Sequence, residues 1–260
     1  MTQDRAGGRT GRQPVAGDAV ALLAGIELVV FDKDGTLIDF DAMWGPWVIE
    51  LTRRLEAASR VELAERLAAE LGFDRAAGRT IAGRPLAVLP MAMLRQATVD
   101  VVAGAGLGPS LAEDAVAAAW FVPDPTAAAV PLADLRRIFT ALRDDGRRIA
   151  VATSDDRRST EQTMAALGVA ALIDGYACAD DGLPRKPAPD MLLDICRRLG
   201  AEPARTAVVG DSAVDLAMAR AAGAGRVIGV LSGVSRRADL EALADAVLPS
   251  VAYLAPEPAG

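Results

Sequence analysis

The chain repeats a pattern that few folds can accommodate: a run of four or five apolar, mostly β-branched residues, then a stretch with apolar residues at helical spacing, then another such run. Leu28–Phe31 reads Leu-Val-Val-Phe and ends abruptly at Asp32-Lys33-Asp34, and similar runs stand at 149–152, 206–209 and 227–230. Helical periodicity fills 132–142, 159–167, 189–199, 213–222 and 238–244. A strand without polar alternation is buried on both faces, and strands alternating with helices over short connections make a parallel sheet. Gly168, Gly200 and Gly223 fall where helix C-termini take a left-handed residue. The expected fold class is α/β, a parallel Rossmann-like sheet flanked by helices.

Residues 41–122 break this rhythm. No β-branched run occurs there, and the apolar positions, as in Trp47, Leu51 and Leu55, follow helical spacing. The pattern predicts an inserted α-helical cap of about four helices over 41–122, placed after the first strand's polar loop and therefore above it. Ser59 with Glu62, and Ser110 with Glu113, fit the capping box and predict two helix starts, while Pro85 suits the first turn of another. Trp44, Trp47, Met91 and Met93 are expected to serve packing. The catalytic core is then 18–40 with 123–255, between a disordered N-terminus at 1–17 and a disordered tail at 256–260. No internal repeat is evident.

Composition removes whole classes of chemistry. The 260 residues include no histidine, which excludes histidine bases, Ser-His and Cys-His nucleophiles and the usual zinc sites. Catalysis must rest on carboxylates. Cys178 and Cys196, far apart and without a CxxC, read as buried thiols. A net charge of −7 argues against nucleic-acid binding. No apolar stretch is long enough to span a membrane, since 19–31 is broken by Glu27, and the N-terminus lacks a signal-peptide pattern, so a cytoplasmic protein is expected. Of the 28 basic residues only Lys33 and Lys186 are lysines. Arg79, Arg84 and Arg95 in the cap read as solvated surface groups.

Asp32 and Asp34 stand one residue apart at a strand end and open into the same crevice, with Gly35 supplying the turn. Gly210-Asp211-Ser212 and Asp215 repeat the arrangement after another strand, with Asp211 or Ser212 also able to cap the following helix. If the two strands are neighbours, four carboxylates converge and require a cation; a hard divalent ion, Mg²⁺, fits oxygen ligands with room for a phosphate oxygen. Thr153 and Ser154 after the 149–152 run, and Lys186, are the candidate phosphate-binding groups. A compact ammonium fits among carboxylates where a planar guanidinium would not.

These residues resemble the haloacid dehalogenase superfamily of aspartate-nucleophile hydrolases, in its helical-cap branch, which includes phosphoglycolate phosphatases and β-phosphoglucomutases. Four motifs match in order over about residues 26–250: Val29-Val30-Phe31-Asp32-Lys33-Asp34-Gly35-Thr36-Leu37, Ile149-Ala150-Val151-Ala152-Thr153, Lys186-Pro187-Ala188-Pro189-Asp190, and Val208-Val209-Gly210-Asp211-Ser212 with Asp215. The resemblance implies that Asp32 is the nucleophile and Asp34 the general acid and base, with Thr153 and Lys186 stabilising the transferring phosphoryl group. It also implies that Mg²⁺ is held by Asp32, the backbone carbonyl of Asp34 and Asp211, with Asp215 and Ser212 supporting from behind. Family dehalogenases lack the acid two residues after the nucleophile, so Asp34 points to phosphoryl chemistry. Lys33, at a variable position of the motif, is expected to pack or to act behind the site.

The activity implied is a Mg²⁺-dependent phosphatase of a small phosphorylated metabolite, acting as a monomer or homodimer with no nucleic-acid or membrane partner. A phosphomutase of the β-phosphoglucomutase type would use the same residues, and a non-catalytic binding protein of the same fold is the third reading. After the first motif, Leu37-Ile38-Asp39-Phe40-Asp41 departs from the Asp-Ser that phosphoglycolate phosphatases of this branch often carry.

Overall fold

The computed structural model describes residues 19–124 and 129–255, with side chains from residue 21. The expected disorder at 1–17 and 256–260 lies outside the described residues. A short helix, α1 (Ala19–Leu22), precedes the first strand, β1 (Leu28–Phe31). The later strands are β4 (Arg148–Ala152), β5 (Gly175–Ala177), β6 (Thr206–Gly210), β7 (Arg226–Val230) and β8 (Ala246–Leu248). They form one parallel sheet in the order β5-β4-β1-β6-β7-β8. The chain leaves β1 toward β4 and β5 on one side and returns to β6, β7 and β8 on the other. The crevice at the carboxyl ends beside β1 is therefore the topological switch point, where open α/β sheets bind ligands.

Every residue of β1 is buried, and its side chains divide between two cores. Val29 and Phe31 join Ile149, Val151 and Phe139 on one face, while Leu28 and Val30 join Ala150, Ile195 and Leu216 on the other. Period-two alternation through a doubly covered strand gives the unbroken apolar run seen in the sequence. Helices α7 (Leu135–Asp144), α8 (Arg157–Ala166), α9 (Asp190–Leu199), α10 (Ala213–Ala221) and α11 (Arg237–Glu241) flank the sheet. Gly168, Gly200 and Gly223 all take positive φ at or just beyond helix ends. Strands β5 and β8 were not anticipated; each has three residues at or beside a sheet edge, too few to show a period. Cys178 and Cys196 are buried free thiols.

Between β1 and α7 the chain forms the helical cap. It contains α2 (Phe40–Ser59), α3 (Ala64–Leu71), α4 (Pro85–Val88), α5 (Met91–Gly104) and α6 (Pro109–Ala119), together with a two-stranded ribbon of β2 (Phe73–Asp74) and β3 (Arg79–Thr80). The cap therefore has five described helices and a hairpin where four helices and no strand were expected. Asp39 caps α2 by accepting from Ala42 N at 3.0 Å, and Asp41 accepts from Thr80 N at 2.8 Å, which ties the hairpin to α2. The unusual Asp39-Phe40-Asp41 segment is thus accounted for structurally.

Both expected capping boxes are corrected. Ser59 is the last residue of α2, its hydroxyl donating to Leu55 O at 2.7 Å. The start of α3 is held instead by Glu56, whose Oε1 accepts from Leu63 N at 2.9 Å and Ala64 N at 3.0 Å. Ser110 lies inside α6, which begins at Pro109 after Gly108. Pro85 does open α4. Among the described residues no helix is long and apolar enough to cross a membrane.

Candidate active site

Asp32 begins where β1 ends, and its backbone N–H still donates to Val209 O of β6 at 2.9 Å, so the ladder carries the first carboxylate into the crevice. The chain then reverses: Leu37 N and Ile38 N both donate to Lys33 O, and Gly35 N donates to Ile38 O at 2.7 Å. Gly35 sits at φ +82°, where a Cβ would lie 2.6 Å from an Asp211 carboxylate oxygen. Only glycine combines that backbone with such close approach.

Asp211 follows β6 as Asp32 follows β1. Its carboxylate accepts from Thr36 Oγ1 at 3.3 Å and from Val234 N at 2.9 Å. A Cβ on Gly233 would collide with the same carboxylate, and Ser232 Oγ donates to Gly35 O at 2.9 Å. The loop Ser232-Gly233-Val234 after β7 is therefore part of the site. Sequence reasoning missed it because that loop carries no acid or base. Ser212 is the N-cap of α10 and forms a reciprocal capping box with Asp215, whose carboxylate accepts from Ser212 N at 3.2 Å.

Oxygens of Asp32, Asp211 and Asp215 lie within 4.8 Å of one another. Lys186 is inserted between two of these acids: its Nζ is 2.7 Å from Asp32 Oδ1, 2.5 Å from Asp215 Oδ1 and 2.8 Å from Ala152 O. All three ammonium donors are thus used, with the side chain 2% exposed. One lysine does not balance three acids. Burial, followed by repulsion from Asp215, pushes the Asp32 carboxyl up to about 7 despite Lys186. Burial together with Asp32 and Asp215 holds Asp211 well above the ordinary carboxylate value.

Asp34 lines the same cavity but stands outside that group of three acids. Its carboxylate pairs with Lys33 Nζ at 2.8 Å, and the same ammonium lies 3.2 Å from Asp155. Trp44 of α2 directs its indole N–H at the Asp34 carboxylate from the cap side. Burial raises the Asp34 pKa, Lys33 opposes this and Asp155 adds to it. Burial alone would discharge Lys33, but Asp34 and Asp155 more than offset it and keep the ammonium charged. Thr153 and Ser154 line the same crevice, Thr153 Oγ1 accepting from Asp155 N at 3.1 Å. Asp155 was not anticipated, although it lies two residues beyond Thr153; nothing local distinguishes it from the exposed aspartate beside it.

Lys33 therefore neutralises two acids, and replacing it with methionine leaves them facing each other in a buried site. We expect Lys33→Met to destabilise the fold by about 3 kcal/mol, in line with removal of one partner of a buried ion pair. Urea unfolding at neutral pH measures it, and a loss below about 1 kcal/mol would show the ammonium to be energetically idle.

The cavity above these groups measures about 60 Å³, and residues of the cap form its upper wall. Trp44 and Met91, expected only to pack, are also walls of this cavity; Trp47 packs edge-on against Trp44 and Trp120. The arrangement places a cluster of buried carboxylates, a saturated ammonium and two hydroxyls at one switch point, which suits displacement at an anionic centre accompanied by proton transfer.

Comparison with known proteins agrees with this geometry. A family model for haloacid dehalogenase-like hydrolases matches residues 26–223. The chain is 30% identical over 198 residues to a protein named phosphoglycolate phosphatase, plasmid, from Cupriavidus necator, covering 75% of this chain and 77% of that one. It is also 30% identical over 215 residues to a probable phosphatase, IndB, of Dickeya dadantii, covering 83% and 85%. Among solved structures, a phosphatase of the same superfamily from Thermococcus onnurineus superposes with a TM-score of 0.63 at 20% identity, over 87% of this chain and 94% of that one. Matched by the family model over residues 26–223 and 30% identical over 83% of its length to a probable phosphatase, the chain belongs to the haloacid dehalogenase-like hydrolases.

Proposed function

We propose that the protein is a Mg²⁺-dependent phosphatase of a small phosphorylated metabolite, acting through an aspartyl-phosphate on Asp32. The observation that carries this reading is the pairing of two acids in distinct surroundings two residues apart: Asp32 among acids and Lys186, Asp34 against Lys33 and Trp44. Environments that separate two carboxylates in this way suit one as nucleophile and the other as acid and base. Asp32 attacks phosphorus as the bond to the leaving oxygen breaks, and Asp34, its proton affinity raised by burial, protonates that oxygen. Water then attacks the phosphoryl group, giving its proton to Asp34 as the Asp32–phosphorus bond breaks. Thr153 and Ser154 offer hydroxyls to the phosphoryl oxygens.

The residues present fit a divalent cation. Three buried carboxylates lie together, and Lys186 pairs with only Asp32 and Asp215, while Gly35 and Gly233 let the two loops approach Asp211 closely. Asp32, Asp211 and the backbone carbonyl of Asp34 would hold the ion, which when bound supplies counter-charge to the acids and the phosphate. Asp215, gripped by Ser212 and Lys186, positions the lysine.

Phosphate release from a panel of phosphomonoesters tests the reading. Activity is expected to vanish with chelator and return with Mg²⁺. Because the folded Asp32 carboxyl is raised to about 7, protons compete with the ion, and apparent Mg²⁺ affinity should fall as pH drops below that value. Full activity in chelator refutes the metal site, and isomerised sugar phosphate without net phosphate release points to a mutase.

Lys186→Arg should lower kcat/KM by a factor of about 10²–10³, because Lys186, saturated by its own partners, acts by holding the Asp32 and Asp215 carboxylates in place. The ammonium's enclosure by Asp32, Asp215 and Ala152 O leaves no room for the longer planar group. Steady-state kinetics decide it: a variant within threefold of wild type, with unchanged Mg²⁺ dependence, removes Lys186 from the machinery.

A further inference from the structure

The catalytic floor of the cavity is acidic and polar, but its cap-side wall is different in kind. Trp44 from α2, Leu86 and Val88 from α4, Leu89 from the turn that follows, and Met91 and Leu94 from α5 form that wall. Among the described residues, no arginine or lysine lines the cavity. Two arginines of the cap are committed elsewhere: Arg84 donates to Ala69 O at 2.7 Å, and Arg95 pairs with Glu113. At the seam between cap and core, Arg185 donates to the Met93 sulfur at 2.7 Å. Lys33 and Lys186 at the floor are already held by carboxylates. The one polar side-chain group in the wall, the Trp44 indole N–H, faces Asp34.

We infer that the substrate is a phosphomonoester whose alcohol portion is uncharged and apolar, an alkyl or arylalkyl phosphate that lays its carbon chain against this wall. The inference rests on the phosphatase reading and adds to it the chemical class of the leaving group. A second anion on the substrate, such as the carboxylate of phosphoglycolate, would meet a wall whose described side chains offer no cation, above a floor of acids. A hydroxyl-rich sugar would likewise lose hydrogen bonds to water that these side chains do not replace. An apolar group is the one chemistry that gains by displacing water from this surface.

The experiment uses the full chain with Mg²⁺ and compares kcat/KM for propyl phosphate and benzyl phosphate with that for phosphoglycolate and for glucose 6-phosphate, all esters of alkyl alcohols. At least a tenfold preference for each neutral apolar ester over each of the other two is expected. A matched variant reads the wall directly. Leu89, only partly buried, tolerates a longer side chain, and Leu89→Arg should raise kcat/KM for phosphoglycolate at least tenfold while lowering that for benzyl phosphate. Val88→Lys, at the neighbouring partly buried position, serves if the first variant does not fold. Phosphoglycolate or the sugar phosphate used as well as the apolar esters overturns the inference but leaves the phosphatase reading standing. No phosphate release from any ester overturns both.

Discussion

Asp32→Asn is expected to leave less than roughly a thousandth of wild-type turnover in a protein that folds as well as the original. The amide is nearly the same shape as the carboxylate and keeps an oxygen for Lys186, now 2.7 Å from Asp32 Oδ1. It is a poor nucleophile and a poor ligand for a hard cation. Stability should move in the opposite direction from activity. The folded Asp32 carboxyl is raised to about 7 from the ordinary 3.8, so its contribution is most favourable below 3.8 and is lost as pH rises toward 7. At pH 8, without metal, the neutral variant should therefore melt no lower than the wild type, and the difference should close below pH 4. Residual activity above a thousandth, in a variant shown by its melting curve to be folded, would take the nucleophile's role from Asp32.

Asp34→Asn should slow turnover by a factor of about 10²–10⁴, the range for loss of general acid–base catalysis. Its effect must differ from that of Asp32→Asn in kind. A nitrophenyl ester, whose leaving group departs without a proton, should still phosphorylate Asp32 at close to the normal rate. The phosphoenzyme should then accumulate, because the attacking water lacks its base. A rapid-quench measurement separates the two steps. Breakdown of the phosphoenzyme at the wild-type rate would remove Asp34 from the reaction, and Lys33 and Trp44 would then hold it for structural reasons alone.

The two variants probe residues that stand two apart in the chain yet occupy different electrostatic surroundings. That difference was invisible in the sequence, where both are acids in a polar turn. The strand period sends Asp32 toward β6 and Lys186, while the reversal at Gly35 turns Asp34 toward α2. The chain's preference for arginine made both lysines conspicuous, and both are buried ion-pairing groups. Their roles diverge, since Lys33 serves Asp34 and Asp155 and Lys186 serves Asp32 and Asp215.

By itself the sequence determined the four central strands, β4, β1, β6 and β7, because a strand covered on both faces must be apolar throughout and those four runs were long enough to be seen, whereas the three-residue edge strands β5 and β8 were not. It also determined where the acids stand, because a buried strand delivers whatever follows it to the sheet's carboxyl edge. Local rules went wrong where a distant or off-pattern group did the work. The start of α3 is capped by Glu56 and not by the Ser59–Glu62 pair, because a carboxylate from the previous helix reaches the free N–H groups first. Only the tertiary structure decided that Asp155 meets Lys33, that the loop around Gly233 closes over Asp211, and that the cap turns an apolar wall toward the acids. Those contacts join segments tens to hundreds of residues apart. Their existence depends on strand order and on how the cap settles, and neither leaves a period or a spacing in the chain.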